Sequence, residues 1–137
     1  MLSVAYIALI SADQTLRATT DAAEAQWQSV YDLPPLAFDH ARIIEDALKQ
    51  LRYEIQTTNI AFQILPPKFT LSQMQRVYEL VLDQTLDKRN FRKKLKELDI
   101  LVETKEMTTG GAHRPARLYR FKSGTYQPVA EKVHVQF

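Results

Sequence analysis

The sequence of 137 residues lacks cysteine, long apolar runs and, before residue 110, any glycine. Without cysteine there is no disulfide framework and no thiolate zinc site, and a reducing cytoplasm is the compatible compartment. No apolar run approaches the roughly 20 residues that span a bilayer. The short apolar stretch 4–10 follows no basic segment. We therefore expect neither a signal peptide nor a membrane partner.

What the sequence does contain is unevenly distributed charge. Residues 1–66 carry eight acidic and four basic side chains, a net charge of −4, whereas residues 67–137 carry 14 basic and eight acidic ones, a net charge of +6. Segment 88–122 alone has eleven bases and four acids. This asymmetry favours a polyanionic partner for the basic half only. On charge alone, a solvated lysine-rich helix face is an equal alternative.

The first half of the chain predicts two strands and a helix. Residues 4–10 are apolar at nearly every position, which predicts a buried strand. Alternation over residues 24–30 predicts a second strand with Trp27 on its buried face. Asp39 is the predicted N-cap of an amphipathic helix that ends near Gln56.

Two further capped helices are predicted in the second half. After a brief apolar helix at residues 60–65, Thr70 and Gln73 form a capping box, and this helix runs to about Asp83. A short connection leads to the next cap at Asp87. The helix after it carries Phe91, Leu95 and Leu98 at the spacing of a buried stripe. So short a link between capped helices is typical of a helix-turn-helix.

A hairpin completes the predicted domain. Residues 100–102 begin one strand, residues 116–121 alternate as its partner, and the tip between them contains Gly110 and Gly111. Helix, turn, helix and a hairpin with a basic tip is the order of a winged helix. We therefore predict an α+β fold with a winged helix-turn-helix at residues 59–125. A strand and helix segment at 1–58 precedes it, and a tail at 126–137 follows.

The basic residues fall where a winged helix touches DNA. The second helix of such a motif enters the major groove, where arginine reads guanine and asparagine reads adenine, while lysines hold phosphates. An arginine on the wing suits a narrow, A·T-rich minor groove. The predicted DNA-binding residues lie at the start of the first capped helix, on the second and on the wing: Thr70, Ser72, Lys88, Arg89, Asn90, Arg92, Lys93, Lys96, His113, Arg114 and Arg117.

Each group also has a purely structural interpretation. Lys94 and Lys96 are more often solvated surface than base readers, and Arg120 is placed to pair with a carboxylate across the hairpin. Gly110 and Gly111 are common turn residues, since glycine occupies positive-φ sites freely. DNA binding is favoured because the helix face and the hairpin tip are both basic.

Three segments of this half closely resemble the C-terminal domain of Nudix-related transcriptional regulators, the NrtR group. They are residues 69–79, the run Leu-Asp-Lys-Arg-Asn-Phe-Arg-Lys-Lys-Leu at 86–95, and residues 110–121. Segments 20–27 and 32–40 are similar to the end of the Nudix domain in the same proteins. The resemblance covers roughly residues 4–122. It implies a dimeric repressor of NAD-metabolism genes that ADP-ribose releases from its operator, although some relatives control sugar use.

The sequence departs from the Nudix pattern in one important respect. Nudix hydrolysis needs a glycine-bearing box with an Arg-Glu-x-x-Glu-Glu helix that holds magnesium. This chain has no such run, and its glycines all follow residue 109. The resemblance also begins partway through the Nudix domain. We therefore expect no enzymatic activity, no catalytic residue, no metal site and no cofactor, and ADP-ribose binding only with a complete Nudix domain.

The expected partner is a palindromic, A·T-rich DNA duplex, bound by a homodimer that forms through residues 1–60. Unpaired edges of the strands predicted at 4–10 and 24–30 would favour this association. Two other functions compete with a cytoplasmic DNA-binding repressor. The chain is alternatively the accessory tail of an ADP-ribose pyrophosphatase, or a module that uses its winged fold for protein contacts. The basic helix face argues against the last of these.

Overall fold

The computed structural model describes residues 4–10, 24–111, 114–128 and 137. Within these residues the chain forms three α-helices, a short 3-10 helix and one two-stranded sheet. In chain order these are α1 (His40–Thr57), the 3-10 helix (Ile60–Gln63), α2 (Leu71–Leu82), α3 (Lys88–Leu98), β1 (Leu101–Met107) and β2 (Arg117–Phe121).

Helix α1 follows the predicted amphipathic pattern. Its apolar residues Ile43, Leu48 and Leu51 are half-buried, and Ile55 is fully buried in the core. Asp39 occupies the N-cap position, but its side chain makes no capping hydrogen bond. The helix therefore owes its place to the packing of its apolar stripe, which is the usual source of helix stability in proteins.

The prediction of two strands in the first half is wrong. Residues 4–10 and 24–30 form no strand, and Tyr6 and Trp27 are 91% and 55% exposed. An apolar alternating segment becomes a strand only where a neighbouring strand takes its backbone hydrogen bonds. In the described part of the chain the only sheet is the β1–β2 pair, and neither segment is paired with it.

Helix α2 begins at the capping box that its sequence predicts. The Thr70 hydroxyl accepts a hydrogen bond from the Gln73 amide at 3.1 Å, and Gln73 Oε1 accepts from the Thr70 amide at 2.9 Å. Phe69 and Met74, on either side of the cap, are both fully buried. The helix ends at Asp83, whose φ of 53° lies in the left-handed region. This left-handed residue turns the chain sharply toward α3.

Helix α3 is likewise capped as predicted. Asp87 Oδ1 accepts a hydrogen bond from the Asn90 amide at 2.8 Å. Phe91, Leu95 and Leu98 are buried, so the predicted apolar stripe is confirmed. Because α3 has only 11 residues, a buried stripe at this spacing leaves most of its remaining side chains facing outward.

The sheet contacts both ends of the helix-turn-helix, because β1 follows α3 and β2 pairs with the residue before the α2 cap. β1 and β2 are antiparallel, with Leu101 opposite Phe121 and Glu103 opposite Tyr119, and the register is irregular between Glu103 and Met107. On the other side of β2, Phe69 exchanges both backbone hydrogen bonds with Tyr119, at 3.0 and 2.7 Å. The start of α2 is therefore tied directly to the wing, and the predicted α+β winged helix is confirmed.

An aromatic cluster fills the core between α2 and α3. The ring of Tyr78 lies 5.2 Å from that of Phe91, and Phe137 packs on both at 5.0 and 5.4 Å. Asn59 joins the chain after β2 to the end of α1, since its side chain bonds Thr125 O at 2.9 Å and the Gln127 amide at 2.8 Å. The Phe137 ring contacts and the Asn59 hydrogen bonds thus place the end of the described chain against the winged helix.

Candidate nucleic-acid interface

The outer face of α3 carries the densest set of basic side chains on the described surface. Its residues predicted to bind DNA are all exposed: Lys88, Arg89, Asn90, Arg92, Lys93 and Lys96. None of the five cations in this set has an ion-pair partner among the described residues. An unpaired, solvated cation is free to meet a phosphate or a base edge without first breaking another contact.

Lys94 is set apart from its neighbours on α3. It is half-buried, and its Nζ lies 5.6 Å from the centre of the Phe137 ring, within reach of a cation–π attraction. Lys94 therefore packs against the aromatic cluster. The sequence pattern predicts a solvated side chain. It could not predict the contact with Phe137, because the two residues are distant in sequence.

The start of α2 places the two predicted hydroxyl residues differently. Thr70 is half-buried and its hydroxyl oxygen is already engaged in the capping box. Ser72 is exposed, and its side chain makes no hydrogen bond to the described residues. Both lie at the positive end of the helix dipole, where an anion is stabilised. Ser72 is thus the freer donor of the two.

The wing contributes one unpaired and one paired arginine from the predicted set. Arg114 is exposed and has no ion pair with the described residues. Arg117 Nε lies 3.1 Å from Glu103 Oε1, and its Nη1 donates to Thr104 O at 3.2 Å. His113 lies outside the described residues, so its predicted role has no structural counterpart here. Gly110 has a φ of 72°, which accounts for glycine at this turn.

The cross-hairpin ion pair involves a different arginine from the one predicted. Arg117 pairs with Glu103, whereas Arg120 makes no ion pair within the described residues. Arg120 lies opposite Val102, so no carboxylate faces it directly across the two strands. Lys105 on β1 is a further exposed cation that the sequence interpretation did not select.

Among the described residues, acidic side chains pair with three of the basic residues around the sheet but with none of the five exposed cations on α3. Lys68 bonds Glu106 at 2.7 Å, and Lys122 bonds Asp99 at 2.6 Å. Together with the Arg117–Glu103 pair, these contacts cover three cations at the sheet. The largest set of cations without an ion pair among the described residues therefore lies on α3, which favours the approach of a polyanion to that face.

Two features are absent from the described residues, a cluster of metal ligands and a membrane-spanning helix. They contain no group of three or more potential metal ligands. No helix among them is long and apolar enough to cross a membrane. Burial raises the pKa of the Tyr78 hydroxyl, but that group lies inside the aromatic cluster and not in a cleft open to a substrate.

Known proteins share this architecture and sequence. Residues 61–121 match the family described as the NrtR DNA-binding winged helix domain. The ADPR responsive transcriptional repressor NtrR of Acinetobacter baylyi is 31% identical over 127 residues, which are 91% of this chain and 50% of that repressor. The predicted resemblance to the NrtR group is thereby confirmed.

Two solved structures have the same fold. Shewanella oneidensis NrtR complexed with a 27mer DNA is 33% identical, with a TM-score of 0.56 over 69% of this chain and 42% of that one. A crystal structure described as Shewanella oneidensis NrtR is 35% identical, with a TM-score of 0.53 over 64% of this chain and 39% of that one. The chain thus spans about half the length of the curated relative and less than half of each solved one.

Proposed function

We propose that the chain binds double-stranded DNA and acts as a transcriptional repressor, because residues 61–121 match the family described as the NrtR DNA-binding winged helix domain. The observation that carries the proposal is the outer face of α3. Five exposed cations there, with no ion pair among the described residues, occupy the recognition helix of a capped helix-turn-helix. A relative of the same fold has been solved with a 27mer DNA.

Roles follow from where each side chain lies on α3 and the wing. Arg89 and Asn90, in the first turn of α3, are placed to read base edges in the major groove. Lys93 and Lys96, further along the helix, bind phosphates and supply affinity without sequence information. Arg114 on the wing enters a narrow minor groove of an A·T-rich operator.

The start of α2 and the remaining wing residues complete the proposed contact surface. Ser72 and, less directly, Thr70 donate to a phosphate at the positive end of α2. Lys88 and Arg92 contact the phosphate backbone of the DNA from α3, and Arg117 does so once it no longer pairs with Glu103. For His113, which lies outside the described residues, DNA contact is proposed from the sequence alone.

A palindromic operator and a homodimer belong to the same proposal. Two-fold symmetric DNA is read by two-fold symmetric protein pairs, each copy placing one recognition helix in a half-site. Exposed aromatic side chains at Tyr6, Trp27 and Phe38 supply apolar area for an interface through residues 1–60. A monomer at micromolar concentration in sedimentation would contradict this part.

Regulation by ADP-ribose is the proposed control of the complete protein, because the Acinetobacter relative is named an ADPR responsive repressor. We place the regulator in the cytoplasm, on genes of NAD metabolism or, alternatively, of sugar use. We further propose that the chain has no catalytic role, since its sequence lacks the Arg-Glu-x-x-Glu-Glu run of Nudix hydrolases. The alternative is the accessory tail of an ADP-ribose pyrophosphatase, which predicts hydrolysis by a longer parent and no operator.

The test is binding to a palindromic, A·T-rich duplex at several salt concentrations. Each neutralised phosphate adds about 0.9 to the magnitude of the log–log salt slope, so Lys96→Ala lowers the slope by about that amount. Arg42→Ala is the matched control, because Arg42 is an exposed cation on α1 with no ion pair among the described residues. No detectable binding at low salt, or equal effects of both variants, would contradict the proposal.

A further inference from the structure

The last turn of α2 is held by residues that lie before the winged helix. An α-helix leaves its final four carbonyl groups without partners inside the helix. Here Glu79 O accepts from the amides of Asp83 and Gln84, which close the helix. The next two carbonyls, those of Leu80 and Val81, are bonded by side chains from elsewhere in the chain.

Those side chains are Arg52 and Tyr31. Arg52, half-buried on α1, donates from Nε to Val81 O at 2.8 Å. The Tyr31 hydroxyl donates to Leu80 O, lies 3.2 Å from Val81 O and accepts a longer bond from Arg52 Nη2 at 3.4 Å. A guanidinium at the negative end of a helix dipole is favourable, and its hydrogen bond is strengthened by its charge.

The carbonyls that these two residues hold come directly before the turn of the helix-turn-helix. Asp83 adopts the left-handed conformation, and Asp87, four residues on, caps α3. Gln75 Nε2 also donates to Leu86 O at 2.8 Å, so the turn is bonded to α2 at a second point. With so few residues between the helices, a shift of the end of α2 is passed to the start of α3.

We propose that Arg52, together with Tyr31, is a positioning residue for DNA binding. It fixes the end of α2 and thereby the direction of α3, so the chain before residue 59 sets the orientation of the recognition helix. This inference rests on the proposed DNA-binding function. Arg52 contacts no DNA itself, because its guanidinium is engaged with the Val81 carbonyl on the α1 side of α2.

The variants that test this inference remove the donors in steps. Arg52→Met keeps the length of the side chain and removes every donor, whereas Arg52→Lys keeps the charge and a donor. Tyr31→Phe removes the hydroxyl alone. Arg42→Met is the matched control, since Arg42 lies on the same helix, is exposed and makes no hydrogen bond with the described residues.

The first measurement is hydrogen exchange in the free protein. We expect the amides of Gln84 and Asn90, at the turn and in the first turn of α3, to exchange about tenfold faster in Arg52→Met, the loss expected for one charge-assisted hydrogen bond. The Tyr119 amide, bonded to Phe69 O at 2.7 Å, should keep its rate. Arg52→Lys should restore part of the protection, and Arg42→Met should change nothing.

The second measurement is DNA affinity against salt. Arg52→Met should weaken binding by about three- to tenfold, as a coupling between distant sites does, and leave the salt slope unchanged because no phosphate contact is lost. Unchanged rates at Gln84 and Asn90, or equal acceleration at Tyr119, would overturn the positioning role. If the native protein binds no duplex, the proposed function fails, while the exchange rates still decide whether Arg52 positions α3.

Discussion

The ion pair between Arg117 and Glu103 places an acid beside a cation that is predicted to bind DNA. Its atoms lie 3.1 Å apart, and both side chains are substantially exposed, at 42% and 59%. Glu103→Gln keeps the shape of the side chain and one acceptor oxygen but removes the negative charge. The change frees Arg117 for a phosphate and removes a carboxylate that repels the DNA backbone.

The size of the effect follows from the exposure of the pair. An exposed ion pair is worth about 0–1 kcal/mol, so the fold should lose little stability. Removing a full charge that lies about 8 Å from a phosphate changes the electrostatic interaction energy of the two by about 0.5 kcal/mol in water before screening. Together with the freed arginine, this predicts DNA binding about two- to fivefold tighter at low salt. If Arg117 then reaches a phosphate, the salt slope steepens by about 0.9.

The assay is fluorescence anisotropy of a labelled duplex, titrated with each variant at several salt concentrations. Glu45→Gln is the matched control, because Glu45 also belongs to an exposed ion pair, with Lys49 on α1 at 3.5 Å. Both variants raise the net charge by one unit and remove one ion pair, so only the position of the charge differs. Unchanged or weaker binding by Glu103→Gln, or equal gains by both variants, would refute the predicted role of Arg117.

Three further predictions concern α3 and the core. Arg89→Ala should cost about 1–3 kcal/mol on the preferred duplex and relax sequence preference, whereas Lys96→Ala should weaken all duplexes alike; two silent variants would mean that α3 is not the recognition helix. Phe91→Ala should destabilise the fold by about 3–5 kcal/mol in chemical denaturation, because this ring is buried between Tyr78 and Phe137. Tyr78→Phe should preserve or raise the melting temperature, since the buried hydroxyl has no hydrogen-bond partner among the described residues. Burial raises the pKa of Tyr78, so its contribution to stability is fully present below the unfolded value of about 10 and is lost as pH rises through the folded value. The free energy of unfolding of Tyr78→Phe should therefore fall less than that of the native protein as pH rises above about 10. Identical curves of unfolding free energy against pH for the two proteins would contradict the prediction.

The helix-turn-helix was predictable because its signals are local. Thr70 and Gln73 lie three residues apart, as do Asp87 and Asn90, so each cap closes within a single turn of helix. The buried stripe of α3 is equally local, because helical periodicity alone brings Phe91, Leu95 and Leu98 to one face. The outward placement of its cations follows from the same periodicity.

The two strands expected in the first half failed for the opposite reason. A helix satisfies its own backbone, whereas a strand depends on a neighbour that the segment does not contain. Nothing in residues 4–10 or 24–30 reveals whether that neighbour is present. In the described structure these segments remain unpaired, and Trp27 is exposed instead of buried.

By itself, the sequence determined the capped helices and the basic face of α3, since these depend on spacings of three to seven residues. The order of the helices and the hairpin predicted the α+β winged helix. Tertiary structure alone decided which cations are free. It brought Glu103 to Arg117 across the hairpin, and Phe137 to Lys94 across 43 residues of chain. Only the fold brings the Arg52 guanidinium to the Val81 carbonyl, 29 residues away in the sequence. Such contacts depend on how separate elements pack, and packing is not encoded in any short segment.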